Sequence, residues 1–194
     1  MFAERGYEGF SIAEVCRRAG VSAGALYTRF EGKEALVRAV HDQVLHELSA
    51  EVQGLYATDA DWEPLPTPDL IDRAVRVLVA HFRTHAAIVR AIVLRAAVDP
   101  VMRAGGAVAV AQMADAFTAR LLTRAADIAH VDVEAAIRST FAMAFEATSW
   151  DVAFGSEFRA TGALGPALDD RLVTVSRVML LSPLAGDTPA GPRE

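Results

Sequence analysis

The sequence is poor in the residues that mark several common protein classes. It holds one cysteine, Cys16, and one lysine, Lys33. A lone cysteine excludes an internal disulfide framework and fits a reducing environment. No uncharged apolar run approaches the roughly 18 residues that a membrane span needs. The opening M-F-A-E-R-G lacks the apolar core of a signal peptide, so the expected location is the cytoplasm. There is no glycine-rich phosphate loop, no metal-ligand cluster and no nucleophile motif around Cys16, so neither an enzyme nor a cofactor is expected. Strand-like alternation is also scarce. Alanine, leucine, valine and arginine dominate the 194 residues, of which 53% are hydrophobic. That composition favours an all-α fold.

Net charge is −6, unevenly spread. Residues 1–41 carry six cations against five anions, whereas residues 42–194 carry 13 against 20. The N-terminal piece is the less acidic one, which permits a polyanionic partner there without requiring it.

The first complete helix starts at Ser11, where Ser11 and Glu14 form an S-x-x-E capping box. Ile12, Val15, Cys16 and Ala19 follow on one face, and Gly20 ends the helix. Ser22 caps a second helix to about Phe30, with Leu26 and Phe30 inward. A third runs from near Gly32 to about Leu55, with an apolar stripe of Val37, Val40, Val44, Leu48, Val52 and Leu55. Three prolines within 56–68 forbid a helix interior. Further helices are predicted over Asp69–Thr84, with Ile71, Ala74, Leu78 and Phe82 inward, and over about Ala86–Val98. Asp99-Pro100 then starts a longer helix to about Ala129, with a point of irregularity at Gly105-Gly106. Asp132 caps a helix carrying Ile137, Phe141, Phe145, Thr148 and Val152 and ending near Gly155. After a loop at 156–165, a last helix spans about Pro166–Leu181, with Leu168, Leu172, Val175 and Met179 on one stripe. The tail from Ser182 is rich in proline and glycine.

Two short helix signals joined by Ala19-Gly20-Val21-Ser22 form a helix-turn-helix pattern. The segment from Phe2 to about His41 resembles the DNA-binding domain of the tetracycline-repressor (TetR) family. The residues that carry the resemblance are F-A-E-R-G-Y at 2–7, Ser11, R-R-A-G-V-S at 17–22, Gly24, Leu26, Tyr27, Phe30 and K-E-A-L at 33–36. The resemblance implies a helix-turn-helix domain over 1–41, a helical ligand-binding and dimerisation domain over 42–181, and a flexible tail over 182–194. It also implies that a full helix precedes F-A-E-R-G-Y. Only its last turn, Met1 to about Arg5, is expected here, a shortfall read as a trimmed or misassigned start.

DNA-binding roles fall on Ser22, Ala23, Gly24, Ala25, Tyr27, Thr28, Arg29 and Lys33. The amide-rich helix start after Ser22 suits a phosphate oxygen. Gly24 lets backbone approach DNA. The resemblance implies that Tyr27 places its hydroxyl on a phosphate, and Lys33 can pair with another. Thr28 and Arg29 are candidates for base edges. Tyr27 also admits a reading as a plug of the small core, and Arg29 one as a solvated charge. Ala23 and Ala25 stand where family members often carry a polar or basic residue and threonine, so shape readout gains weight.

In the second domain, an effector pocket is expected among Trp62, His81, Phe82, His85, Met113, Phe117, Phe141, Phe145 and Trp150. His81 and His85 share a helix face, but without a third ligand no metal site is predicted. Arg120 and Glu146 are either cavity polar groups or surface charges. The helices at about 132–155 and 166–181 are expected to make a four-helix bundle across a dimer axis. The function implied is a homodimeric transcriptional regulator, a repressor on a pseudo-palindromic operator, released by a small and mostly apolar effector. The alternative is a helical dimer that binds a small molecule or partner and no longer binds DNA.

Overall fold

The computed structural model describes residues 9–57, 59–155 and 168–182. The expectations for Met1–Tyr7, for the loop at 156–165, for the start of the last helix at Pro166 and for the tail beyond Ser182 lie outside the described residues. Among the described residues the secondary structure is helical throughout, with no strand. Eight α-helices follow in order: α1 Ile12–Ala19, α2 Ala23–Tyr27, α3 Lys33–Ala57, α4 Thr67–Thr84, α5 Ala86–Ala96, α6 Pro100–Leu122, α7 Val133–Phe154 and α8 Leu168–Leu181. Short 3-10 turns occupy Asp59–Asp61 and Ala125–Asp127.

The helix ends are set by side chains that the sequence places there. Ser11 Oγ accepts the Glu14 amide at 3.2 Å, and Gly20 ends α1 with φ 67, a left-handed conformation that glycine takes without Cβ strain. Asp99 caps α6 by accepting the amides of Val101 and Met102 at 3.1 and 3.3 Å. Asp132 caps α7 through the Ala135 amide at 3.0 Å. Three boundaries depart from expectation. α2 stops at Tyr27 instead of Phe30, because Thr28 and Arg29 tighten into a turn bonded back to Gly24 and Leu26. α5 stops at Ala96, and α6 at Leu122 rather than near Ala129, where Thr123 and Arg124 bond back three residues. α6 is regular through Gly105-Gly106. A Cβ on Gly105 would meet His41, Asp42 and Leu45 side-chain atoms at 3.5–3.8 Å, so Gly105 lies where α3 crosses closely.

The main core gathers α3 to α8. α3 packs along α6, α4 along α8, and α7 is clasped by α4, α5 and α6. Ile71, Ala74, Leu78 and Phe82 are buried as expected, with Leu70, Val75 and Val79 beside them. On α3 the predicted stripe is partly displaced. Val37, Leu48 and Val52 are buried, but Val40 and Leu55 are exposed, and His41, Leu45 and Tyr56 take inward places. The neighbour α6 sets that phase: Arg120 Nε donates to the Tyr56 carbonyl at 2.8 Å and holds the end of α3 against it. Arg120 is therefore a buried structural cation, and Glu146 is exposed. On α8, Leu168 and Leu172 are buried, whereas Val175 faces outward. Ion pairs from α4 brace α8: Arg76 to Asp170 at 2.6 Å, Arg83 to Asp169 at 2.8 Å, and Arg177 to Asp72 and Asp69. No single helix among the described residues is long and apolar enough to cross a membrane.

Candidate functional site

The head formed by α1, α2 and the first turns of α3 buries Cys16, Leu26 and Val37, one side chain from each helix. Around these small buried anchors the polar candidates are left outward. Ser22 Oγ accepts the Ala25 amide at 3.1 Å and fixes the start of α2. Ala23, Gly24 and Ala25 are exposed on its first turn. A Cβ on Gly24 would meet only Ser22 Oγ, at 3.9 Å. Nothing among the described residues therefore demands glycine there, while close approach of an outside partner would. α2 is only five residues long, so its macrodipole adds little to anion binding.

Tyr27 is 56% exposed, which removes its reading as a core plug. Thr28 Oγ1 donates to the Ala25 carbonyl at 2.7 Å, which leaves its oxygen lone pairs able to accept from a base amino group. Arg29 is exposed beside them. Lys33 lies at the first position of α3, its Nζ 4.6 Å from the Phe10 ring centroid. The structure thus brings Ser22 to Arg29 and Lys33 onto two adjacent elements.

A second candidate lies in the helical body. An apolar cavity of about 210 Å³ is lined by Leu45, Leu48, His81, Phe82, Val89, Ile92, Val93, Ala96, Arg103, Gly106, Val110, Met113, Phe145 and Ser149. Of the expected pocket residues, His81, Phe82, Met113 and Phe145 line it. Trp62, Phe117 and Phe141 do not: they are buried in the core, where Tyr56 packs at 5.7 Å from Trp62 and 5.8 Å from Phe117. Trp62 Nε1 is spent on the Leu55 carbonyl at 3.2 Å. Trp150 is 52% exposed and packs on Phe154, 4.5 Å between centroids. His85 sits at the α4–α5 corner, facing Glu51.

Sequence reasoning missed several lining residues. Gly106 and Ser149 carry no aromatic signal, and Leu45 is out of phase with the expected stripe. It also found no third partner for His81 and His85. That is corrected here: α3 brings Glu51, with its Oε2 2.9 Å from His85 Nε2 and 3.6 Å from His81 Nδ1. Burial and the adjacent His85 push the His81 pKa below the usual imidazole value, against the pull of Glu51.

The comparisons with known proteins bear on both parts. Residues 1–40 match the family model of bacterial regulatory proteins of the tetR family. The A-factor receptor protein of Streptomyces griseus is 41% identical over 54 residues, covering 28% of this chain and 20% of the receptor. The N-terminal 40 residues are thus of the tetR-family regulatory type. The match spans only a fifth of the receptor's length, and 54 residues cannot reach from Leu45 to Ser149, so it says nothing of the cavity. Two solved structures share the TetR-type fold over nearly the whole chain. A TetR-family transcriptional regulator from Mesorhizobium loti MAFF303099 has a TM-score of 0.71 at 20% identity, covering 91% of this chain and 89% of its own. Salmonella enterica GusR has a TM-score of 0.67 at 21% identity, covering 92% and 88%.

Proposed function

We propose that this chain is a TetR-family transcriptional repressor that binds a pseudo-palindromic operator as a homodimer. A small, mostly apolar effector entering the cavity releases it. The observation that carries the reading is the course of α3. It begins with Lys33 beside the exposed face of α2, then forms a cavity wall with Leu45 and Leu48, about 18 Å further along its axis. One rigid helix thus belongs to both the head, 1–41, and the body, 42–181. An occupant that shifts α3 at Leu45 moves the head with it.

In the head, Tyr27 and Lys33 hold phosphates and position α2, while Thr28 and Arg29 face base edges. Ser22, Ala23, Gly24 and Ala25 supply the close backbone approach. The cavity is lined by aliphatic and aromatic side chains, with His81, Arg103 and Ser149 as polar handles, which selects for an apolar ligand carrying few polar groups. The name of the S. griseus relative, a receptor, agrees with ligand control. For the dimer, α7 exposes Trp150 and Phe154 while α8 exposes Val175 and Val178, an apolar surface on two helices that pack together. Moving occupancy from 1:99 to 99:1 asks the effector for a preference of roughly ten-thousand-fold between the two states. The reading places the chain in the cytoplasm with its DNA.

Selection of duplexes from a randomised library by the purified full chain tests this. Recovered sites should be inverted repeats, and binding should weaken steeply with salt, as phosphate contacts require. Failure to enrich any duplex would leave the alternative, a helical ligand- or partner-binding dimer without DNA.

A further inference from the structure

Glu51, His81 and His85 meet on the side of the body, away from α2. Glu51 comes from the last third of α3, His81 from the last turn of α4, and His85 from the corner into α5. The donor atoms of the three lie within 4.8 Å of one another. A tetrahedral ion with bonds of about 2.1 Å sets its ligand atoms about 3.4 Å apart. The separations to Glu51 Oε2, 2.9 Å from His85 and 3.6 Å from His81, bracket that value. Two imidazoles and a carboxylate are the donor set of borderline divalent ions, too nitrogen-rich for calcium or magnesium. The side chains of Glu51 and His85 are 52% and 29% exposed and give an entry path, whereas that of His81 is 4% exposed and holds the ion from the protein side.

We propose that Glu51, His81 Nδ1 and His85 Nε2 bind one divalent transition-metal ion of the zinc class, with a fourth position open to water or a ligand. The ion joins α3 to the α4–α5 corner. His81 also lines the apolar cavity, so the metal stands directly behind the wall that an effector would touch. Metal uptake is independent of DNA binding, so this claim and the regulator reading fail separately.

The test uses tag-free full chain stripped with chelator. Zn2+ alone is titrated by calorimetry and Co2+ by visible absorption. The site predicts one Zn2+ per chain, a Co2+ spectrum of low coordination number, and a higher melting temperature with Zn2+. Loss of even an outer-shell partner of a metal site costs about 10–100-fold in affinity, so Glu51→Gln and His85→Gln should each weaken Zn2+ by at least about tenfold and abolish the thermal shift. Both replace partly exposed side chains, and helical circular dichroism checks their folding. His46→Gln, an exposed histidine elsewhere on α3, should leave binding unchanged. Absence of stoichiometric uptake would overturn the proposal. So would uptake that survives Glu51→Gln and His85→Gln, or that falls as much with His46→Gln.

Discussion

Gly106 offers the sharpest perturbation of the cavity. It lies inside the regular helix α6, lines the cavity, and has nothing within 4 Å of where a Cβ would stand. Glycine in a helix interior is about 0.8–1.0 kcal/mol less favourable than alanine. Gly106→Ala meets no compensating clash, so it should stabilise the chain by about 1 kcal/mol. For a chain of this size that is a rise in melting temperature of roughly 2–4 °C. Gly106→Leu should keep that gain and add apolar burial, since its side chain enters a space walled by Phe82, Met113 and Phe145. The same side chain then occupies the room an effector needs. Thermal denaturation followed by circular dichroism reads the first effect. The second is read in cells as repression of a reporter that no longer responds to effector. A Gly106→Leu chain that melts below the parent, while Gly106→Ala melts above it, would show that the cavity is not open at that wall. A Gly106→Leu chain whose reporter still responds fully to an effector of the parent would place the effector's site elsewhere.

Tyr27→Phe should weaken operator binding about uniformly across sequences without changing the salt-dependence slope, because a neutral hydroxyl displaces no counterion, whereas Lys33→Ala should lower that slope by about one, with the dimer unchanged in sedimentation. Unaltered affinity in Tyr27→Phe would remove Tyr27 from the interface. Tyr56→Phe deletes a buried hydroxyl that donates to the Ala74 carbonyl at 2.7 Å, and should cost about 1 kcal/mol in denaturant unfolding. Burial raises the pKa of that hydroxyl, so it remains a neutral donor at any pH the fold survives. Burial also acts to raise the Asp99 carboxyl, but the amides of Met102 and Val101 and the charges of Arg38 and Arg95 outweigh it and hold it below the usual range. A carboxylate lowered in the folded chain stabilises it above the unfolded value of about 3.9, and that support is lost as pH falls through the lower folded value. Asp99→Asn should therefore lower the melting temperature at pH 7 and flatten its fall in acid.

The local signals were legible because they act over three or four residues. Ser11 with Glu14, Gly20, Ser22, Asp99 and Asp132 each fix a helix end through a bond to the adjacent turn, and the structure uses all of them. Burial phase was harder to read wherever a polar residue is taken inward by tertiary packing. His41 carries no inward signal in the sequence and Arg120 reads there as either a cavity group or a surface charge, yet the contact between α3 and α6 buries both. Aromatic periodicity showed that Phe117, Phe141 and Phe145 face inward, but a 3.6-residue period cannot separate a core side chain from a cavity wall. Glu51 carries no signal at all beside His81, because 30 positions separate them and only the packing of α3 on α4 closes that gap. Gly106 and Ser149 were passed over because a cavity is formed by small residues as much as by large ones.

In the proposed function, the face of α2 and Lys33 reads double-stranded DNA as part of a dimer. The direct measurement is the stoichiometry and salt dependence of the full chain on its best selected duplex, by sedimentation and fluorescence anisotropy. Two chains per inverted repeat, with affinity falling by orders of magnitude between 50 mM and 200 mM salt, is the expected result. Binding by a single chain, affinity indifferent to salt, or equal affinity for the parent chain and one with both Tyr27 and Lys33 changed to alanine would contradict it.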